Sequence, residues 1–224
     1  MFINASSLTT PAKWHMKIML KEVKLFLSAI RLAPHLILML LSSNRNLIWA
    51  DMDRFGKLSK RGQPQNLMER VFLFINLMTF VPEYRTVFYL RTDKLVRVLL
   101  SIFCRRMPTL DIIAKSVGPG LFIQHGHGTN VSAVAIGENC WINQLVTIGY
   151  INDDGPPTIG NNVIIHAGAT ILGKLCIGDN STVGANSLVI RDVPPNVTVL
   201  GVPAKIISRK KPTRLDDISV LDLT

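Results

Sequence analysis

The chain has 224 residues, 48% of them apolar and 18% charged, with 25 Lys+Arg against 15 Asp+Glu. This composition excludes an intrinsically disordered chain and leaves room for one large domain or two small ones. Three cysteines (Cys104, Cys140 and Cys176) are too few and too odd in number for a disulfide scaffold, and no CxxC spacing offers a zinc site. A reducing, cytoplasmic setting and no metal are therefore expected. The net charge of +10 is unevenly spread. Residues 1–110 hold 17 Lys+Arg and 6 Asp+Glu, residues 111–200 hold 3 and 6, and the last 24 residues hold 5 and 3. A basic first half precedes a slightly acidic second half.

No signal peptide is expected at the start, because the apolar run Ile18–Leu20 is cut at once by Lys21, Glu22 and Lys24. The longest apolar runs, 32–41 and 71–81, are about half the length a bilayer-spanning helix needs. Leu25, Phe26, Ala29, Ile30 and Ala33 recur at helical spacing. A break at Ser42-Ser43-Asn44 precedes a second helix through Trp49 and Phe55. Gly56, Gly62 and Pro64 predict a loop, followed by a third helix from about 65 to 80. Pro82 opens a fourth helix carrying Tyr84, Val87, Phe88, Leu95 and Leu99. Two readings of this basic half stand: a helical bundle with a basic surface, or helices resting on the anionic inner face of a membrane. No helix-turn-helix, RNP or finger pattern is present, so no nucleic-acid partner is expected.

From Val117 the period changes. Ile159, Ile165, Ile171, Ile177, Val183 and Val189 are spaced by six without a break, with compact Val163, Ala169, Ser181 and Ser187 four places after an aliphatic residue. Upstream, Ile136, Ile142 and Ile148 repeat the step, and so do Val117 and Ile123. Six is no helix period, and it suits a β-helix whose triangular coil has three short flat sides. Gly or Asn at the corners supplies the backbone freedom of a tight turn. Two steps break phase. Ile123 to Ile136 is 13 residues, around His125-Gly126-His127-Gly128, and Ile148 to Ile159 is 11, across 150–157. Loops that leave a stacked coil are candidates for function. The expected fold is α+β: a basic helical region (1–108), a parallel β-helix of six-residue repeats (109–207) and a C-terminal tail (208–224).

Several runs carry a resemblance to a known family. Gly120-Leu121-Phe122-Ile123-Gln124-His125, Ile136-Gly137-Glu138-Asn139, Val146-Thr147-Ile148-Gly149, Pro157-Thr158-Ile159-Gly160, Ala167-Gly168-Ala169-Thr170-Ile171-Leu172-Gly173 and Gly201-Val202-Pro203-Ala204-Lys205-Ile206 resemble serine acetyltransferase. The likeness spans about 109–207. It implies a left-handed β-helix that forms a homotrimer, alone or paired into a hexamer, with active sites between subunits and acetyl moving from acetyl-CoA to a hydroxyl. Pro82-Glu83-Tyr84-Arg85, Phe88-Tyr89 and Ile123-Gln124-His125-Gly126 with Asn139-Cys140-Trp141-Ile142-Asn143-Gln144 resemble the branch often found among surface-polysaccharide enzymes.

His125 stands at the place of the family's catalytic base. The chemistry is intelligible from the residue alone: an alcohol attacks a thioester slowly unless a base removes its proton, and a neutral imidazole suits that task. The resemblance implies an Asp that orients this ring, and Asp111 is the candidate, although it lies one residue closer than the family spacing. His127 is either a second polar group of the acceptor pocket or a solvated loop residue. His166 reads as a corner or cleft-wall histidine and Glu138 as solvated. Gly149, Ala167 and Ala185 match positions where the family lays the pantetheine arm, and Lys205 matches a basic residue that meets a CoA phosphate.

Two departures bear on the acceptor. The family's Asp just before the catalytic His is Gln124 here, and its His before the Pro-Lys-Ile segment is Pro156. Serine brings an ammonium and a carboxylate that need countercharges. The expected acceptor is therefore a sugar hydroxyl in surface-polysaccharide biosynthesis, bound by Gln124 and His127. The alternative is serine O-acetylation for cysteine biosynthesis. A zinc hydratase on this fold needs a His pair five apart on one coil, which the chain lacks.

Overall fold

The structure, a computed structural model, describes residues 10–209. The tail expected from 208 lies almost wholly outside the described residues. Six helices come first: α1 (Thr10–Arg31), α2 (Ala33–Leu41), α3 (Arg45–Leu58), α4 (Leu67–Phe80), α5 (Pro82–Leu90) and α6 (Lys94–Ser101). Pro34 in the first turn of α2 cannot continue the hydrogen-bond ladder of α1, so the two helices part at Leu32. A reciprocal cap starts α4: the Asn66 side chain accepts from the Glu69 amide at 2.9 Å, and its Nδ2 donates to the Glu69 carboxylate at 2.8 Å. Gly56 departs from expectation. It lies inside α3 rather than in a loop, where a side chain would run into the Gly62 carbonyl and Leu73. Leu95 and Leu99 also move, onto the separate helix α6, because the chain turns at 91–93.

Thirteen strands follow: β1 (Leu110–Val117), β2 (Phe122–Ile123), β3 (Thr129–Ile136), β4 (Trp141–Ile142), β5 (Thr147–Gly149), β6 (Thr158–Ile159), β7 (Ile164–Ile165), β8 (Thr170–Leu172), β9 (Cys176–Ile177), β10 (Thr182–Val183), β11 (Leu188–Val189), β12 (Val197–Leu200) and β13 (Lys205–Arg209). They form the expected left-handed parallel β-helix after the helical region. One side stacks β2, β4, β7, β10 and β12, and β13 closes it antiparallel to β12. The six aliphatic residues from Ile159 to Val189 all point inward and are at most 2% exposed.

Regular coils take eighteen residues, as in Ile165↔Val183 and Ile171↔Val189. The first coil takes nineteen, Ile123↔Ile142, with its surplus in the His125–Gly128 loop. The next takes twenty-three, Ile142↔Ile165, with five surplus residues in the loop at 150–157.

The corners use Gly and Asn, as expected. Left-handed backbone falls on Gly120 and Gly168 and on Asn139, Asn162, Asn180, Asn186 and Asn196, whose short polar side chains tolerate it. Three of them form a ladder, Asn162 to Asn180 to Asn196, at 3.0 Å per step. Gly178 instead permits close stacking, since a Cβ there would collide with the Pro194–Pro195 backbone of the next coil.

The helices sit directly on the first coil. Phe55 of α3 packs edge-on against Phe122 of β2 at 4.7 Å between ring centroids, and Phe122 packs on Trp141 at 5.1 Å. A buried ion pair pins the same junction. Arg91 Nε donates to Asp51 at 2.8 Å, and its Nη2 donates to the Gly118 carbonyl at 2.7 Å. Asp51 Oδ1 also accepts from the Gly120 and Leu121 amides at 2.8 and 3.0 Å. Burial raises the Asp51 carboxyl above the usual carboxylate range, against the pull of Arg91 and these two amides. The pin fixes the backbone that leads into 122–125.

Candidate active site

His125 leaves the end of β2 with φ +54, a conformation uncommon for any residue but glycine. Its ring is exposed, and it lines a cavity of about 400 Å³ between the helices and the first coil. Gln124 shares that wall. From the helical side come Phe55, Arg61, Val81 and Glu83. Glu83 is half-buried beside the loop: a Cβ on Gly126 would lie 3.4 Å from its Cγ. Its carboxylate makes no ion pair among the described residues. Arg61 Nη1 donates to Asn76 Oδ1, which leaves other guanidinium donors to the cavity. The cavity therefore carries both charge signs beside an imidazole.

Asp111 is elsewhere. It lies on β1 with Asn130 as its strand partner, and its carboxylate accepts from Arg106 at 3.5 Å across a half-exposed surface. Among the described residues no hydrogen bond joins it to His125. His127 is exposed and meets Thr109 Oγ1 through Nδ1 at 3.4 Å. His166 is half-buried at a corner, with its amide donating to Val183. The Glu138 amide donates to the Asn161 side chain at 3.0 Å.

The four residues matched to the donor split into groups. Ala167 and Ala185 lie one coil apart on the same corner, linked by the Asn186 amide donating to the Ala167 carbonyl at 2.9 Å. Gly149 ends β5, on a different corner, where an added Cβ would meet nothing within 4 Å. Lys205 lines a second cavity, of about 220 Å³, together with Arg191 and Asp192. Asp192 accepts from the Cys176 amide at 2.8 Å, and the cavity carries two cations against this one carboxylate.

Arg61 and Glu83 escaped the sequence reading. Glu83 lay within a quoted motif but carried no assigned role, and no local pattern marked Arg61. Both reach His125 only through the packing of α3 and α5 on the coil.

The chain matches the family described as bacterial transferase hexapeptide (six repeats) over residues 156–191. A serine acetyltransferase of Synechococcus elongatus is 44% identical over 116 residues, covering 50% of this chain and 48% of that protein. The chain thus spans about half the length of the curated relatives it matches. Among solved structures, the serine acetyltransferase of Brucella abortus has a TM-score of 0.61 at 27% identity, covering 80% of this chain and 74% of that one. A complex of the Brucella abortus enzyme with coenzyme A matches with a TM-score of 0.56 at 28% identity, covering 80% and 73%.

These likenesses correct the expected acceptor. The relatives named above are serine acetyltransferases, and none is a polysaccharide enzyme. Gln124 and Pro156 leave the β-helix without two countercharges, whereas both signs of charge enter the cavity from the helices.

Proposed function

We propose that this protein is an O-acetyltransferase that moves acetyl from acetyl-CoA to the hydroxyl of serine and works as a homotrimer. The observation that carries the reading is the cavity at His125, whose helical wall offers one carboxylate, Glu83, and one guanidinium, Arg61. A zwitterion with a hydroxyl is the small molecule such a wall suits. The names of the relatives and of the solved neighbours support the same chemistry.

In this reading neutral His125 accepts the serine hydroxyl proton as the oxygen attacks the thioester carbonyl carbon. The tetrahedral adduct collapses by breaking the carbon–sulfur bond, and the imidazolium returns its proton to the departing CoA thiolate. The products are O-acetylserine and CoA. The left-handed backbone of His125 is the kind of local strain that positions a reacting group. Glu83 faces the ammonium and Arg61 the carboxylate, which together orient the hydroxyl toward the ring. Gln124 borders the acceptor and His127 stands at the loop's outer side. Along the donor, Ala167 and Ala185 leave room for the pantetheine arm at one corner, Gly149 leaves room at another, and Lys205 meets a phosphate. Asp111, the carboxylate that the family likeness offers to orient the ring, meets Arg106 at 3.5 Å in the single chain.

The deciding assay follows CoA thiol release from acetyl-CoA with serine, with glycerol and with 3-hydroxypropionate, which lacks the ammonium. Serine should exceed both in kcat/KM by about 100-fold or more. Equal turnover of the neutral polyol overturns serine as the acceptor.

A further inference from the structure

Helix α1 exposes a stripe that the rest of the chain leaves uncovered. Met19, Leu20, Val23, Phe26, Leu27 and Ile30 follow one another at i, i+1, i+4, i+7, i+8 and i+11 and are 49–68% exposed. Those intervals place them within one arc of about 120°. The opposite face packs inward, with Ser28 buried and Leu25 and Ala29 half-buried. Ile37 and Leu41 of α2 are exposed too, past the 64° bend.

Arg31 and Lys24 flank the stripe, and Lys17 and Lys21 lie further round toward the Ser28 side; all four are exposed, Lys24 stands 5.0 Å from the centroid of the Phe80 ring, and Glu22 is the one acid between them in sequence. None of the four forms an ion pair among the described residues. A groove of about 330 Å³ lies where the two kinds of surface meet, lined by Leu20, Val23, Lys24, Leu27, Ser28 and Arg31. Its apolar wall under a pair of cations suits an acyl chain below a phosphate headgroup.

We propose that α1 lies flat in the interface of an anionic membrane, burying the stripe among acyl chains and setting its lysines and Arg31 against lipid phosphates. No single described helix is long and apolar enough to cross a membrane, and α1 and α2 reach that length only as a pair bent by 64°, so an interfacial position suits the amphipathic α1. Lipid is favoured over a second copy of the chain by charge. An isologous contact through this stripe would bring two rows of the same cations together, whereas an anionic surface pairs with every one of them. Two signals, apolar and basic, are what stable peripheral binding requires. The proposal is independent of the acceptor, and a soluble substrate such as serine does not conflict with it.

Flotation of the full-length protein with phosphatidylglycerol-containing vesicles and with pure phosphatidylcholine vesicles tests it. Wild type should float with the anionic vesicles, remain below the neutral ones, and lose binding as NaCl rises from about 50 to about 500 mM. The double variant Phe26→Glu/Leu27→Glu and the double variant Lys17→Gln/Lys21→Gln should each weaken anionic binding by about tenfold or more, with unchanged circular dichroism and Tm. All four side chains are exposed, so the fold does not depend on them. Failure of wild type to bind, or equal binding by both variants, overturns the proposal. So does a drop in sedimenting mass for the Phe26/Leu27 variant without any vesicle binding by wild type, which would assign the stripe to self-association.

Discussion

At the scale of single residues, the proposed chemistry depends on three side chains that the fold gathers from distant parts of the chain. His125 comes from the coil, Arg61 from the turn after α3, and Glu83 from the first turn of α5. Their roles separate kinetically. His125→Ala removes the base and should lower kcat by about 100-fold or more with little change in KM. Glu83→Gln keeps the shape but loses the charge facing the ammonium, so it should raise the KM for serine by about tenfold while leaving kcat nearly unchanged. The same variant should leave 3-hydroxypropionate, which has no ammonium, unaffected. Steady-state kinetics on both acceptors check this, and a parallel loss on the two compounds would reassign Glu83 to holding the loop at Gly126. His125 was legible in the sequence because it sits in a glycine-rich break of an otherwise strict repeat. Arg61 was not, because no period or motif relates a turn residue to a coil sixty positions away. Asp111 is a different case: only the family likeness singles it out, and in the single chain its carboxylate meets Arg106, five residues upstream, on a half-exposed surface.

At the scale of elements, the helices are not an appendage to the coil. Asp51 and Arg91 share a buried network with the backbone at Val117, Gly118, Gly120 and Leu121. Removing one partner leaves a buried charge unpaired, so Asp51→Ala should cost about 3–5 kcal/mol of stability, whereas a joint Asp51→Leu/Arg91→Met replacement should cost less. Urea unfolding of the three proteins measures the difference, and a smaller loss in the single variant than in the double would refute the pin.

A second joint ties α2 to α5, where His35 Nε2 meets the Tyr89 hydroxyl at 2.9 Å. Burial first, and then the charge of Arg31, lower the His35 pKa from 6.5 to about 4. The folded ring therefore stays neutral while the unfolded chain already takes up a proton. Its contribution is complete above pH 6.5 and drains away as the pH falls toward about 4. The stability gap between wild type and His35→Leu should narrow over that range by on the order of 2 kcal/mol, and a gap independent of pH would count against a neutral buried ring. The hexapeptide coil was readable because a sixfold period has few structural solutions. The helix breaks at Leu32 and at 91–93 were less so, since the apolar spacing continues across them and tertiary packing makes the decision.

At the scale of the whole molecule, one chain leaves its candidate site half walled. Leu145 is 61% exposed and holds φ +58, a conformation that costs a leucine roughly 1–2 kcal/mol. Its amide donates to the His127 carbonyl at 2.9 Å, and its side chain lies over Gly128, beside the loop that carries His125. Tyr150 and Ile151 on the longer loop are also more than half exposed. A strained, uncovered apolar residue beside a reactive loop gains nothing for the single chain. It makes sense once a neighbouring coil packs against it, and a trimer brings such a surface to each of three loops. Leu145→Glu would place a charge in that contact while leaving the coil's inward residues untouched, since position 145 faces outward. On the proposed trimer, sedimentation should show wild type assembled and the variant monomeric, turnover should fall by about tenfold or more, and far-ultraviolet circular dichroism should stay the same. A variant that remains trimeric and fully active would place the subunit contact, and the missing wall of the site, on another side of the coil.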